Sequence, residues 1–161
     1  MKRLILVRHG KSAWDNNLTD EKRPLKKRGE RDGLLIATNF SSFFQKPVTV
    51  WSSPAVRALS TAKIFKNELA IEDKDFNVIN SLYTFNGGNL LSQIQKCDPE
   101  IDKLMVFGHN PAMTNLVNHL GDSYVDNVPT TGLTVIDFET NSWKNLKVGK
   151  TILSLFPKNL R

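Results

Sequence analysis

Four short, unbroken apolar runs recur along the chain: Leu4–Val7, Val48–Trp51, Phe76–Ile79 and Leu104–Phe107. A strand buried on both faces reads as such a run, whereas a strand with one wet face alternates apolar and polar residues. Between the runs lie stretches with helical spacing, at Lys27–Phe44, Ala55–Leu69, Asn89–Lys96 and Pro111–Leu120. Buried strands alternating with helices predict an α/β fold, a three-layer α/β/α sandwich around a mostly parallel sheet. The C-terminal "TGLTVIDFETNSWKNLKVGKTILSLFP" departs from that rhythm. It reads as strands joined by a tight turn around Thr140-Asn141-Ser142, which predicts an antiparallel edge.

At 161 residues, with no repeat or linker, the chain reads as a single domain over residues 1–161. No apolar stretch is long enough to span a bilayer, so no membrane partner is expected. Met1-Lys2-Arg3 is basic, but only four apolar residues follow before Arg8, too few for a signal-peptide core. The expectation is a mature start and a cytoplasmic protein. A lone cysteine, Cys97, excludes an internal disulfide, suits a reducing compartment and reads as a small buried or half-buried side chain. The net charge of +6 is concentrated in "KRPLKKRGER", Lys22 to Arg31. Such a cluster steers anionic ligands or forms a solvated helix face with its entry loop. Few aromatics are interleaved with it, and no nucleic-acid partner is expected.

In open parallel sheets ligands bind beyond the carboxyl ends of the strands. Three of the apolar runs end in polar loops: Arg8-His9-Gly10, "SSPAVRA" and "GHNPAM". The fold thus brings Arg8, His9, Arg57 and His109 toward one edge of the sheet. Two guanidiniums and two imidazoles suit a phosphoryl dianion, because arginine stays charged and its planar fork matches phosphate oxygens. Helix N-termini after Pro54 and Pro111 add N–H donors. Histidine becomes a nucleophile when one ring nitrogen is free and an acceptor holds the other N–H. Gly10 would let the chain turn at once, with its backbone close to the phosphate. Taken singly, each motif is as well explained by a strand-to-helix turn or a surface cation. His119, mid-helix, reads as structural.

Other phosphoryl-transfer devices are missing from the chain. There is no GxxxxGK[ST] loop, and Lys103 stands where a cysteine-phosphatase loop built on Cys97 would need arginine. "DKDFN" lacks the turn glycine and closing carboxylate of a calcium loop, and no preceding apolar strand supports an aspartate nucleophile. Three histidines, one cysteine and no HExxH argue against a metal site, and no cofactor is expected.

"LVRHGKS", "RPLKKRGERDG", "SSPAVRALSTA" and "VFGHNPAM" together resemble the successive motifs of the histidine phosphatase (phosphoglycerate mutase-like) superfamily, most closely its small SixA-type phosphohistidine phosphatase branch. They fall in family order from residue 4 to residue 113, and "VPTTGLTVIDF" is similar to the family strand leading from the pocket rim. The resemblance implies a phosphoglycerate mutase-like fold and a metal-independent phosphatase. His9 would be the nucleophile that is phosphorylated and then hydrolysed, with Arg8, Arg57 and His109 completing the phosphate pocket.

Two departures refine it. Ester-cleaving relatives carry a Glu or Asp general acid after the third strand, but "NSLYTFNGGN" contains none. An alkoxide leaving group without that acid loses ~10²–10⁴-fold. A phosphorylated imidazole, protonated on its other nitrogen, leaves as a neutral ring. Tyr83 is either a proton donor or packing. The first loop also reads Lys11-Ser12-Ala13-Trp14-Asp15, where such relatives commonly have Glu or Gln and Asn at the Lys11 and Asp15 positions. Asp15 would repel a phosphate unless Lys11 or Arg23 neutralised it; otherwise it holds the loop. Ser12 is a candidate substrate ligand or turn stabiliser. The expectation is a monomer acting on phosphohistidine of a phosphorelay-type protein. The alternatives are a phosphatase of a small phosphorylated metabolite and a non-catalytic phospho-ligand module.

Overall fold

In the computed structural model, which describes all 161 residues, six strands form one sheet. They are β1 (Lys2–Arg8), β2 (Thr49–Ser52), β3 (Phe76–Val78), β4 (Lys103–Gly108), β5 (Leu133–Phe138) and β6 (Lys150–Leu155). Four helices connect them: α1 (Lys27–Ser41), α2 (Val56–Glu68), α3 (Gly87–Ile94) and α4 (Ala112–Leu120). The spatial order is β3-β2-β4-β1-β5-β6. The first four strands run parallel, while β5 pairs antiparallel with β1 and β6 antiparallel with β5.

The period of two along β1 explains why its apolar run is continuous. Leu4 and Leu6 pack with Leu90 and Ile94 of α3 and Met113 and Leu116 of α4. Ile5 and Val7 point the other way, onto Ile36 and Phe40 of α1 and Phe65 of α2. Each such side chain contributes roughly 1.5–3 kcal/mol by leaving water, so a charge at Leu6 would break one whole face. Helices therefore cover both sides, as the sequence pattern predicts.

The same topology makes a crevice. β1 leads into α1 on one face, while its neighbour β4 leads into α4 on the opposite face. Their loops diverge at a topological switch point, where ligands bind in such sheets. The strand ends are tied in register: the His9 N–H donates to Gly108 O at 3.1 Å and the Ser53 N–H to Phe107 O at 3.0 Å.

Two expectations change. α1 ends at Ser41, and Phe43 and Phe44 follow in a loop whose rings pack back on Phe40. β5 and β6 form the antiparallel edge, but no tight turn at Thr140–Ser142 joins them. Residues 139–149 make a longer connection with a 3-10 turn at Trp143–Asn145. Trp143 is fully buried there, donating from Nε1 to Ile101 O at 2.7 Å, and its burial draws the connection over the end of the sheet. No helix is long and apolar enough to cross a membrane.

Candidate active site

The three loops do converge. His9 follows β1, His109 follows β4, and Arg57 is the second residue of α2. The imidazoles of His9 and His109 lie 5.3 Å apart, and Arg57 Nε donates to His9 Nε2 at 3.3 Å. His9, Arg57 and His109 are all buried, and Arg8 is half-buried beside them. Arg8, His9 and Arg57 line a cleft of about 310 Å3 whose walls include Lys11, Ser12, Asn110 and Thr130, and His109 packs on His9 to complete its floor.

The ring of His9 has a determined proton. Its Nδ1 lies 2.8 Å from Gly10 O, an acceptor only, so Nδ1 carries the hydrogen. Nε2 is left with a lone pair facing Arg57. Burial pushes the His9 pKa down to about 4; the bond to Gly10 O works against that, and Arg57, Arg8 and Arg23 add to the lowering. His109 is lowered to about 3, by burial first and then by His9 and Arg57. Both rings are neutral near pH 7.

Support comes from the surrounding loops. Ser53 Oγ lies 2.8 Å from His109 Nε2 and accepts from the Ala55 N–H at 3.2 Å, which leaves its own proton for the imidazole. Arg8 donates from Nη1 to Val128 O at 2.8 Å, and Asn110 Nδ2 donates to the same carbonyl at 3.1 Å. The Thr131 N–H donates to both Arg8 O and His9 O at 3.1 Å, clamping the Arg8-His9 dipeptide from the β5 side. Thr131 does so at φ 61°, a left-handed conformation that costs a β-branched residue of order 1–3 kcal/mol. Gly10 needs no such conformation. A Cβ there would meet Gly29 O, Leu25 and Thr131 at 3.2 Å each, so close packing of the protein around it, rather than a sharp turn, explains the glycine.

Four buried polar atoms lack partners, the Thr131 and Thr134 hydroxyls and, beside His9, Arg8 Nε and His109 Nδ1. Buried donors are almost always satisfied, and two orphans in one cationic cleft point to an anionic ligand.

The sequence reading passed over Asp20, which begins a short 3-10 turn, Asp20–Lys22. Its carboxylate accepts from Arg57 Nη2 at 2.9 Å, from Arg23 Nη1 at 2.9 Å and from the Tyr83 hydroxyl, and its backbone oxygen accepts from Arg57 Nη1 at 2.6 Å. Burial would raise its pKa, but the bonds from Tyr83, Arg57 and Arg23 outweigh that and hold it far below the usual carboxylate range. Arg23 therefore pairs with Asp20, not Asp15. Asp15 accepts from the Asn17 N–H at 2.9 Å and shapes the exposed loop. Ser12 is buried and accepts from Arg23 Nη2 at 2.7 Å. Tyr83 is engaged with Asp20, and His119 is exposed on α4 away from the cleft. Cys97 is buried, and burial pushes its thiol up to about 12. No group of three or more His, Cys, Asp and Glu side chains is assembled to hold a metal ion.

Known proteins resemble the chain in sequence pattern and fold. The pattern of the Histidine phosphatase superfamily (branch 1) matches residues 4–80. A crystal structure assigned as a phosphohistidine phosphatase SixA from Agrobacterium tumefaciens superposes with a TM-score of 0.81 at 27% identity, covering 97% of this chain and 98% of that one. The N-terminal 77 of the 161 residues thus carry the pattern of that superfamily, and the whole chain shares the fold of a SixA structure. The structure of the protein histidine phosphatase SixA complexed with tungstate shares the fold, with a TM-score of 0.83 at 22% identity over 99% of both chains. An uncharacterized chloroplastic protein of Arabidopsis thaliana is 29% identical over 152 residues, 89% of this chain and 69% of that protein. The phosphoglycerate mutase-like sandwich expected from the sequence is the fold observed.

Proposed function

We propose that the chain is a metal-independent phosphatase that forms a covalent phosphohistidine on His9, and that its substrate is phosphohistidine on a protein. The observation that carries the first part is the proton on His9: Nδ1–H bonds to Gly10 O at 2.8 Å, leaving Nε2 unprotonated in a cationic pocket. In the first step the Nε2 lone pair forms a bond to phosphorus, and the substrate P–N bond breaks with its electron pair returning to the leaving imidazole. In the second, water attacks phosphorus, the P–Nε2 bond breaks with its electron pair returning to His9, and orthophosphate departs as the water's proton passes to solvent. Because Nδ1–H stays on Gly10 O, His9 leaves as a neutral ring in that step. Arg8, Arg57 and His109 stabilise the charge on the equatorial oxygens, which is most of what phosphoryl transfer requires.

The substrate reading rests on the carboxylates. Asp20 is the one carboxylate lining the cleft, and its three partners hold it ionised. An ionised acid gives no proton to an alkoxide, whereas a phosphorylated imidazole needs little help to leave. The exposed Lys22, Lys26 and Lys27 near the cleft favour an acidic protein surface around the substrate. The test compares a protein phosphohistidine, a small phosphoramidate and sugar phosphates as substrates of wild type and His9→Ala. We expect turnover in the order given, acid-labile phosphate on wild type alone, and loss of turnover in the variant. Equal phosphate release by both proteins would sink the nucleophile assignment; faster turnover of sugar phosphates would move the substrate to small metabolites.

A further inference from the structure

Arg57 is the guanidinium nearest the nucleophile, yet its fork is already occupied. Nε points at His9, Nη1 donates to Asp20 O and Nη2 donates to the Asp20 carboxylate. Arg23 gives the same carboxylate one of its terminal nitrogens. The orphaned donors, Arg8 Nε and His109 Nδ1, belong to the other two residues of the floor. The cationic pocket is therefore divided: one half holds unpaired donors, and the other half is occupied by an internal anion at 42% side-chain exposure on a short loop.

We infer that Asp20 acts as a resident anion that competes with orthophosphate for Arg57, and so promotes release of the product. The inference rests on the phosphatase reading of the cleft. Orthophosphate near neutral pH is largely a dianion, and a second anion sharing Arg57 and Arg23 repels it. The phosphoryl group in flight is looser and carries its charge over three equatorial oxygens. Within reach of Arg57 Nε, Arg8 and His109, it gains stabilisation without needing both terminal nitrogens of Arg57. Asp20 thus weakens the ground state more than the transition state, the condition under which a repulsive contact assists turnover. Tyr83, donating to the carboxylate from the far wall, keeps Asp20 on the arginine rather than in solvent.

A carboxylate on an arginine also has a plain positioning role, and the two roles have opposite signs. If Asp20 only orients Arg57, removing its charge loosens the arginine and weakens anion binding. If it competes, removing its charge tightens anion binding. The experiment measures inorganic phosphate and tungstate affinity by titration calorimetry, without turnover, for wild type, Asp20→Asn and Asp20→Glu, with melting temperatures as a check on folding. We expect Asp20→Asn to bind phosphate ~10-fold more tightly, Asp20→Glu to stay near wild type, and product inhibition of turnover to deepen in parallel for Asp20→Asn. Unchanged or weaker binding by a folded Asp20→Asn overturns the competition. If none of the three proteins binds phosphate or tungstate, the phosphoryl reading of the cleft fails, and this inference with it.

Discussion

The floor and the wall of the cleft are built differently. Arg8, His9, Arg57 and His109 arise at strand ends or in the first turn of a helix, and three of the four are buried. Trp14, Asp20, Arg23, Tyr83 and Phe85 come from loops and one short 3-10 turn, where Trp14 is 80% and Phe85 48% exposed. The floor is fixed by the register of the sheet. The wall is fixed by contacts among its own side chains: Arg23 stacks on Trp14 at 3.7 Å, and Tyr83 reaches Asp20. On the proposed function, the chemistry that needs a determined proton sits on the part set by the sheet, and selection and release fall to the part set by loop contacts.

That division predicts unequal arginines. Arg57→Ala removes a buried cation beside His9 and should lower kcat/KM by ~10²–10³-fold, the cost of losing one preorganised donor to a developing charge. Arg23→Ala, in the wall, should cost far less. Steady-state rates on a small phosphoramidate check both. Equal losses would place Arg23 on the phosphoryl group and erase the distinction between floor and wall.

The neutral floor histidines also make folding sensitive to acid. Both have folded pKa values below 6.5, at about 4 for His9 and about 3 for His109. The unfolded chain therefore binds more protons in this window, and stability rises with pH. The contribution is complete above pH 6.5 and is lost as pH falls through 4 toward 3. At about 1.4 kcal/mol per pKa unit, each buried ring is worth a few kcal/mol, on the order of 10³-fold in the folding equilibrium. Urea melts of wild type and His109→Asn between pH 4 and 7 test this; the variant should lose stability less steeply. A wild-type curve flat over that range would show that the rings titrate normally.

These contrasts also account for what was legible in the sequence. The floor could be read because an apolar run ending in Arg8-His9 declares where the strand stops, and topology then places Arg57 and His109 beside it. Asp20 could not. It sits in "NNLTDEKR", which reads as solvated loop, and its partners Arg57 and Tyr83 are 37 and 63 residues away. The nearest local signal was Asp20 three residues before Arg23, yet Asp15 drew attention as the acid close to His9. The β5–β6 connection was misread for a similar reason: Thr140-Asn141-Ser142 has turn chemistry, but burial of Trp143 against Ile101 decides the path.

Ser53 tests the floor's support at smaller cost. Its hydroxyl is the partner of His109 Nε2 at 2.8 Å, so Ser53→Ala leaves that nitrogen unpaired and frees the ring to change tautomer. Losing a buried hydrogen bond of this kind should lower kcat/KM by ~10-fold. Nitrogen chemical shifts of the His109 ring should move with it. A rate loss without that movement would assign the effect to packing around Ser53.

The smallest effect is expected at the outermost side chain. Trp14 is mostly exposed and touches the cleft through the Arg23 guanidinium stacked on its ring. An exposed cation–π contact contributes ~0.5–1 kcal/mol, so Trp14→Ala should change rates by about 2–5-fold. The change should fall on KM rather than kcat, because the ring steadies a wall residue and does not reach His9. It should be larger for a protein phosphohistidine than for a small phosphoramidate, since only the protein extends past the cleft mouth. Competing the two substrates against each other measures that ratio within one reaction. A loss of kcat approaching that of Arg57→Ala would mean that the wall orders the floor, and the two regions would then be one machine.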